Sequence, residues 1–216
     1  MRVTVIGGHG RTGLLLVEQL LAAKHAVVAT IRNPKHMAEL VELGAETVML
    51  DLETSKPEDI VTAMAGSDAV IFAAGSAEGE GSALDRKGTL RTVRAAEKAG
   101  VKRYLSVSAI GASTGMSTRS MNDEMKDYYR QKRAAAKHIT GSTLDWTLIE
   151  PAELTEDKAS GKVTAGLERI EEAPIARADV AAFVIAALDE PKTIGKAIQL
   201  AGGSTAISAA LKAALV

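Results

Sequence analysis

Tyr128 and Lys132 stand four residues apart in a stretch of helical periodicity, so both side chains leave one face of a helix toward a common point. An ammonium beside a phenol favours phenolate. At about 4 Å and an effective dielectric of about 20 the interaction is worth about 4 kcal/mol, enough to lower a tyrosine pKa by up to about three units. That brings a proton donor toward the range where general acid–base catalysis is efficient. The pair follows a segment ending Ser106-Val107-Ser108, where the Ser108 hydroxyl would emerge at the same edge of a sheet. Tyr129 and Arg133 repeat the spacing and compete for the role, although a guanidinium does not tune proton transfer as an ammonium does.

A second set of residues suits an anion. Val3 to Gly13 reads V-T-V-I-G-G-H-G-R-T-G, an apolar strand running into a glycine-spaced turn and then a Leu-rich helix. Gly7 can make the sharp turn, Gly10 lets backbone N–H groups approach phosphate oxygens, and Gly13 permits close helix-on-strand packing. The helix from about Thr12 aims its unpaired amides at the anion. With a second strand at His25 to Ile31 close behind, the pattern predicts a dinucleotide pyrophosphate site. After that strand comes Arg32-Asn33-Pro34-Lys35, with no Asp or Glu where one would hold the free ribose 2′-hydroxyl of NAD. Arg32, helped by Arg11 and Lys35, suits a 2′-phosphate instead, so NADP(H) is expected over NAD(H). Asp51-Leu52 is expected to border the adenine, and Ala73-Ala74-Gly75 to let a cofactor lie against backbone.

The elements that must position these groups alternate along the chain. Strands are predicted near 2–6, 25–31, 46–50, 68–73, 102–107 and 144–149, with helices between them, clearest at Thr12 to Ala23, Leu84 to Ala99 and Met121 to Ile139. Repeated strand–helix–strand order predicts an α/β, doubly wound parallel sheet, with ligands beyond the carboxyl ends of the strands. After Pro151 the pattern loosens into a polar stretch to Ala173, followed by a helix from about Ala176 to Leu188 and a short strand near Ala197 to Leu200. The expectation is a single Rossmann-like domain over 1–216, with residues 152–175 and C-terminal elements forming a small substrate cap.

Composition narrows the partners. The 216 residues are 46% hydrophobic and 25% charged, with a net charge of −1 and both signs interspersed. No basic field for nucleic acid or anionic membrane is evident, and no run approaches the ~18 apolar residues of a membrane span. With the first strand starting at residue 2 and no charged leader, a soluble cytoplasmic protein with a small-molecule substrate is expected, its oligomeric state open. There is no cysteine, and His9, His25, His36 and His138 show no ligand spacing, so no metal is expected and each histidine reads as a surface residue. Gly111-Ala112-Ser113-Thr114-Gly115 fits a hydrolase nucleophile pattern but lacks the helix that should follow at once. Met116, Met121 and Met125 read as core packing, with an apolar substrate mouth as the alternative. Arg86, Lys87, Arg91 and Arg94 read as the solvated basic face of the helix over 84–99.

These motifs resemble the atypical short-chain dehydrogenase/reductase group, of the NAD(P)-binding NmrA-like and YwnB-like kind, and are similar to flavin reductases and sugar-nucleotide epimerase relatives. The likeness runs through G-G-H-G-R-T-G at 7–13, the stretch 84–112 that ends S-V-S-A-I-G-A, and Y-Y-R-Q-K-R-A-A at 128–135. It continues through L-D-W-T-L-I-E-P at 144–151, I-A-R-A-D-V-A at 175–181 and G-K-A-I-Q-L-A-G-G at 195–203. The resemblance implies that Tyr128 is the proton donor, that Lys132 binds the nicotinamide ribose and lowers the Tyr pKa, and that Ser108 orients a substrate carbonyl. It places the cofactor against Gly7, Gly8, His9, Gly10, Arg11, Thr12, Gly13, Arg32, Asp51, Leu52, Ala73, Ala74, Gly75, Ser108, Lys132 and Pro151. Where relatives commonly read Arg-Pro after the sixth strand, this chain has Glu150-Pro151, a charge reversal near the cleft. The expected activity is reduction of a small carbonyl, quinone or flavin-like acceptor by NADP(H). A non-catalytic NADP(H)-binding redox sensor of the NmrA-like type and a sugar-nucleotide epimerase-like enzyme are the alternatives.

Overall fold

The structure, a computed structural model, describes residues 1–75 and 83–216. Its first half repeats one unit: a strand, apolar and buried on both faces except in the edge strand Glu46–Met49, then a helix that crosses back over the sheet. The strands are β1 (Arg2–Ile6), β2 (Ala26–Ile31), β3 (Glu46–Met49), β4 (Ala69–Phe72), β5 (Arg103–Val107) and β6 (Asp145–Pro151). The helices between them are α1 (Arg11–Ala22), α2 (Met37–Leu43), α3 (Pro57–Met64), α4 (Ala83–Ala99) and α5 (Asp123–Thr140). Beyond β6 lie β7 (Leu154–Thr155), β8 (Lys162–Gly166), β9 (Ile175–Ala176), α6 (Arg177–Leu188), β10 (Lys196–Gly202), β11 (Thr205–Ala206) and α7 (Ile207–Ala214).

Among the described residues, nine strands form one sheet in the order β3-β2-β1-β4-β5-β6-β10-β8-β11. From β3 to β10 every pairing is parallel. The chain therefore reverses direction across the sheet between β1 and β4, the switch point at which Rossmann-like folds open their ligand crevice. Successive side chains point to opposite faces. Val3, Val5 and Leu105 pack with Leu16, Val17 and Phe183 against α1 and α6, while Ile6, Val70, Phe72 and Tyr104 pack with Ile60, Val93 and Ile139 against α3, α4 and α5. The result is the expected α/β, Rossmann-like, doubly wound core.

The carboxyl-terminal third corrects one expectation. The sheet is mixed: β8 runs antiparallel to β10, and β11 antiparallel to β8. Residues 162–166, within the stretch read as polar and loose, thus extend the main sheet. Val163 is the one fully buried residue of this strand, and the alternation around it is too short to register as a strand signal. The rest of the stretch is tied down by β7, which pairs with β9 in a separate two-stranded parallel sheet. Asp179 of α6 adds a second tie, its carboxylate accepting from the Ser160 and Gly161 amides and the Ser160 hydroxyl at 2.8–2.9 Å.

Candidate active site

At the switch point the turn between β1 and α1 is shaped by missing side chains. Gly7 has φ +81°, and a Cβ there would stand 2.8 Å from the Ala74 Cα; one on Gly13 would lie 2.0 Å from the Gly7 carbonyl oxygen. The helix therefore sits directly on the turn, and only glycine allows it. Gly8 is pressed against Ala29 and donates its N–H to Thr30 O at 2.9 Å, while Gly7 N–H reaches Thr30 Oγ1 at 3.1 Å. The first bond back along the helix is Leu14 N–H to Gly10 O, at 2.8 Å. Gly10 gives α1 no side-chain cap and no acidic residue occupies its first turn, so its leading amides keep their partial positive charge for a ligand.

A cleft of about 610 Å³ opens over this turn. Gly7, His9, Gly10, Arg11, Thr12, Arg32, Asp51, Leu52, Ala73, Ala74 and Gly75 line it, as the sequence predicts. Thr30, Ile31, His36, Leu50, Glu53, Leu84 and Arg177 join them. Gly8 and Gly13 lie beneath the surface, as the floor on which the others stand. The cradle, the uncapped helix and the cleft together fit a dinucleotide: the turn and α1 would hold its diphosphate, and the side walls its two nucleosides.

The wall after β2 and β3 carries the charge. Arg32 is exposed there, and the Asp51 carboxyl is held below the usual range by the Glu53 N–H at 2.9 Å, with a smaller contribution from Arg32. His9 and His36, read from sequence as surface residues, are half-buried and stack at 3.6 Å between ring centroids, with His9 Nε2 2.7 Å from Glu39 Oε2. Partial burial, then the neighbouring His9, lowers the His36 pKa below the ordinary imidazole value, against a smaller opposing effect of Glu39. Lys35 does not reach the cleft lining; its amide is bound by Asn33 Oδ1, which caps the short 3₁₀ turn.

Across β1, the ends of β4 and β5 meet α4 and α5. Here Lys132 is buried, and its ammonium lies 2.8 Å from Asp85 Oδ1 and 5.5 Å from the Tyr128 ring centroid. Burial opposes the Lys132 charge; Tyr128 and Asp85 more than offset it, and the pKa is raised. Tyr128 is half-buried and Ser108 is buried at the end of β5. Ser106, Ser108, Asp85, Thr89 and Lys132 surround a void of about 10 Å³, roughly the size that admits one water. Asp85 Oδ1 is 3.9 Å from where a Cβ on Gly75 would stand, and Leu84 lines the cleft, so the buried pair adjoins the cleft's inner end. Ser108 and Lys132, expected as cofactor contacts, line this void and not the cleft itself.

Residues 7–191 match the NAD(P)H-binding family. The chain belongs to that family. It is 38% identical over 217 residues to a Bacillus subtilis protein named an uncharacterized sugar epimerase, YhfK, covering 98% of this chain and 99% of the relative. A putative NAD-dependent epimerase/dehydratase from Bacillus halodurans superposes with a TM-score of 0.90 at 33% identity, covering 99% of each chain. The oxidoreductase ylbE from Lactococcus lactis gives 0.86 at 30% identity, over 100% of this chain and 97% of that one. The resemblance to the atypical short-chain dehydrogenase/reductase group therefore holds.

Several residues of this NAD(P)H-binding domain fall where the sequence did not place them. Asp85 carried no signal beyond a charge in an amphipathic helix, yet it is the partner of Lys132. Arg91, read as solvated, reaches back to the Leu52 and Ser55 carbonyls and holds the loop that borders the cleft. Tyr129 is buried edge-on to Tyr128, and burial pushes its hydroxyl pKa up, away from neutrality; Arg133 turns to the Met116 carbonyl. Pro151 lies outside the cleft lining, its carbonyl accepting Ile110 N–H at 2.9 Å. Glu150 is fully buried, with one oxygen accepting Ser113 N–H at 2.7 Å. Among the described residues no helix is long and apolar enough to cross a membrane, and no three His, Asp or Glu converge as a metal site.

Proposed function

We propose that this domain is an NADP(H)-dependent oxidoreductase acting on a small carbonyl, quinone or flavin-like acceptor. The observation that carries the reading is the buried Lys132, held by Asp85 beside Tyr128 and sharing a small void with Ser108, with Asp85 next to Gly75 of the cleft lining. A bound nicotinamide supplies the hydride. Tyr128 Oη delivers the proton to the acceptor oxygen, and Ser108 Oγ orients that oxygen by hydrogen bonding. Lys132 binds a ribose hydroxyl, with Asp85 fixing the ammonium in place. Segment 152–175 and the carboxyl-terminal elements form the substrate side. General acid catalysis of this kind contributes about 10²–10⁴-fold, so Tyr128→Phe lowers NADPH oxidation by that factor in a panel of quinones, aldehydes and flavins. If no acceptor is reduced, or the substitution leaves the rate unchanged, the catalytic reading gives way to a nucleotide-binding sensor.

Arg32 on the cleft wall, with no acid directly after β2, supports NADP(H) over NAD(H). NADPH then raises the melting temperature more than NADH at equal concentration, because stabilisation follows affinity for the native state. The reverse order removes the role given to Arg32. The names of the Bacillus relatives favour a second reading, epimerisation of a sugar nucleotide, which uses the same acid–base pair and consumes no net cofactor. Conversion of a nucleotide sugar without change in NADPH absorbance distinguishes it.

A further inference from the structure

At the mouth of α1 three charged side chains meet. Arg177, the first residue of α6, places Nε 2.7 Å from Glu156 Oε1, and Arg11 places Nη1 3.1 Å from the same oxygen. Arg177 Nη1 also lies 3.4 Å from Thr12 Oγ1, in the first turn of α1. The small sheet sets this up: Leu154 pairs with Ile175 and Thr155 with Ala176, so Glu156 and Arg177 come next in line, side by side. Gln19 of α1 donates to Ala178 O at 3.1 Å and pins the start of α6 to α1. The Arg177 side chain is only 12% exposed, so its direction is set by packing, whereas Arg11 and Glu156 are 71% and 61% exposed.

The charges do not balance. Two guanidiniums, each with five donors, share one oxygen of one solvated carboxylate, beside a helix start that is itself electropositive and bears no acid in its first turn. A diphosphate, with two negative groups and several acceptor oxygens, matches this set better than a single carboxylate does. The Arg11–Glu156 pair is exposed on both sides and worth little. Arg177 is not, so Glu156 leaves it at small cost only as the diphosphate arrives to take its place.

Resting on the reading that the cleft binds a dinucleotide, we propose that Arg177 and Arg11 are the side-chain half of its diphosphate site. In this arrangement Glu156 is a resident counter-anion that the bound diphosphate displaces. The glycine turn supplies main-chain amides from one side, and Arg177 closes on the diphosphate from α6.

Calorimetric titration of the full chain with NADPH, NADP⁺ and inorganic pyrophosphate, at one salt concentration, tests this in wild type, Glu156→Gln, Arg177→Gln and Arg177→Lys. Removal of the competing carboxylate tightens all three ligands about 3–10-fold in Glu156→Gln and enlarges the NADPH-induced rise in melting temperature. Arg177→Gln weakens them about 10–100-fold, the usual effect of losing a hydrogen bond to a charged group, and Arg177→Lys falls between. A merely structural clasp predicts the opposite sign for Glu156→Gln, whose loss would then loosen the site. If Arg177→Gln folds poorly, the sign of Glu156→Gln and the Arg177→Lys affinity decide. Wild type that binds with Glu156→Gln no tighter, or with Arg177→Lys unchanged, overturns the proposal and leaves the dinucleotide reading standing. Wild type that binds neither pyridine nucleotide overturns both.

Discussion

The two ends of the cleft are built on opposite principles. At the β1–α1 turn the site is made by leaving atoms out: Gly7, Gly8 and Gly13 bring backbone against backbone, and the charge comes from peptide dipoles that need no counter-ion. At the β4–β5 end the site is made by putting charge in: Lys132 and Asp85 are both almost wholly buried and depend on each other. A dipole-built site tolerates changes in its surroundings and fails on steric intrusion. A charge-built site tolerates changes of shape and fails on loss of a partner. The two ends should therefore break differently.

The largest effect is expected where a buried charge is orphaned. Asp85→Asn leaves the Lys132 ammonium without its partner in a buried pocket, which costs about 3–5 kcal/mol of stability in urea unfolding. Asp85→Leu combined with Lys132→Met removes both charges and recovers most of that loss while abolishing turnover. If Asp85→Asn costs under ~1 kcal/mol, solvent reaches the pair and the contrast between the two ends is weaker than drawn. Next comes Gly13→Ala. Its Cβ would meet the Gly7 carbonyl oxygen at 2.0 Å, so α1 must lift from the turn, with a cost of about 1–3 kcal/mol or more. The same shift misaligns the leading amides, so NADPH affinity falls further than stability alone explains. A Gly13→Ala protein that binds NADPH as tightly as wild type would show that the close contact serves packing only.

The dipole-built end was legible in the sequence because its requirements are local. A strand, three spaced glycines and a helix within residues 3–22 report the backbone geometry directly, and eleven of the residues read as cofactor contacts line the cleft. The parallel strands were legible too, since in all but β3 burial on both faces leaves largely continuous apolar runs. The charge-built end was half legible. The Tyr128–Lys132 spacing is a property of one helix, but Asp85 comes from another helix 47 residues earlier, and nothing in a single sequence marks which acid on α4 faces inward. Arg177 stayed hidden for the same reason, brought to Thr12 across 165 residues by the packing of α6 on α1. The antiparallel strands β8 and β11 were missed because they are partly exposed, and β11 is only two residues long, so their alternation carries little apolar contrast.

Glu150 offers the smallest and most selective test of how this molecule handles buried charge. Unlike Asp85 it has no cation against it among the described residues: one oxygen accepts Ser113 N–H, and the other, Oε2, is buried there with no hydrogen-bond partner. Burial pushes its carboxyl pKa up, and the Ser113 hydrogen bond offsets only part of the rise. The folded state then holds a proton on Glu150 over a pH range where the unfolded chain has released it. Native protein binds more protons than unfolded protein in that window, so this residue's contribution to stability falls as pH rises from the ordinary carboxylate pKa through the raised one. Glu150→Gln keeps an acceptor for Ser113 and cannot ionise. Urea unfolding at stepped pH from 4 to 7 should show wild type losing stability relative to Glu150→Gln as pH rises through the raised pKa. Parallel curves would mean that Glu150 ionises alike in both states, and that the folded chain solvates this carboxylate as well as it pairs the one on Asp85.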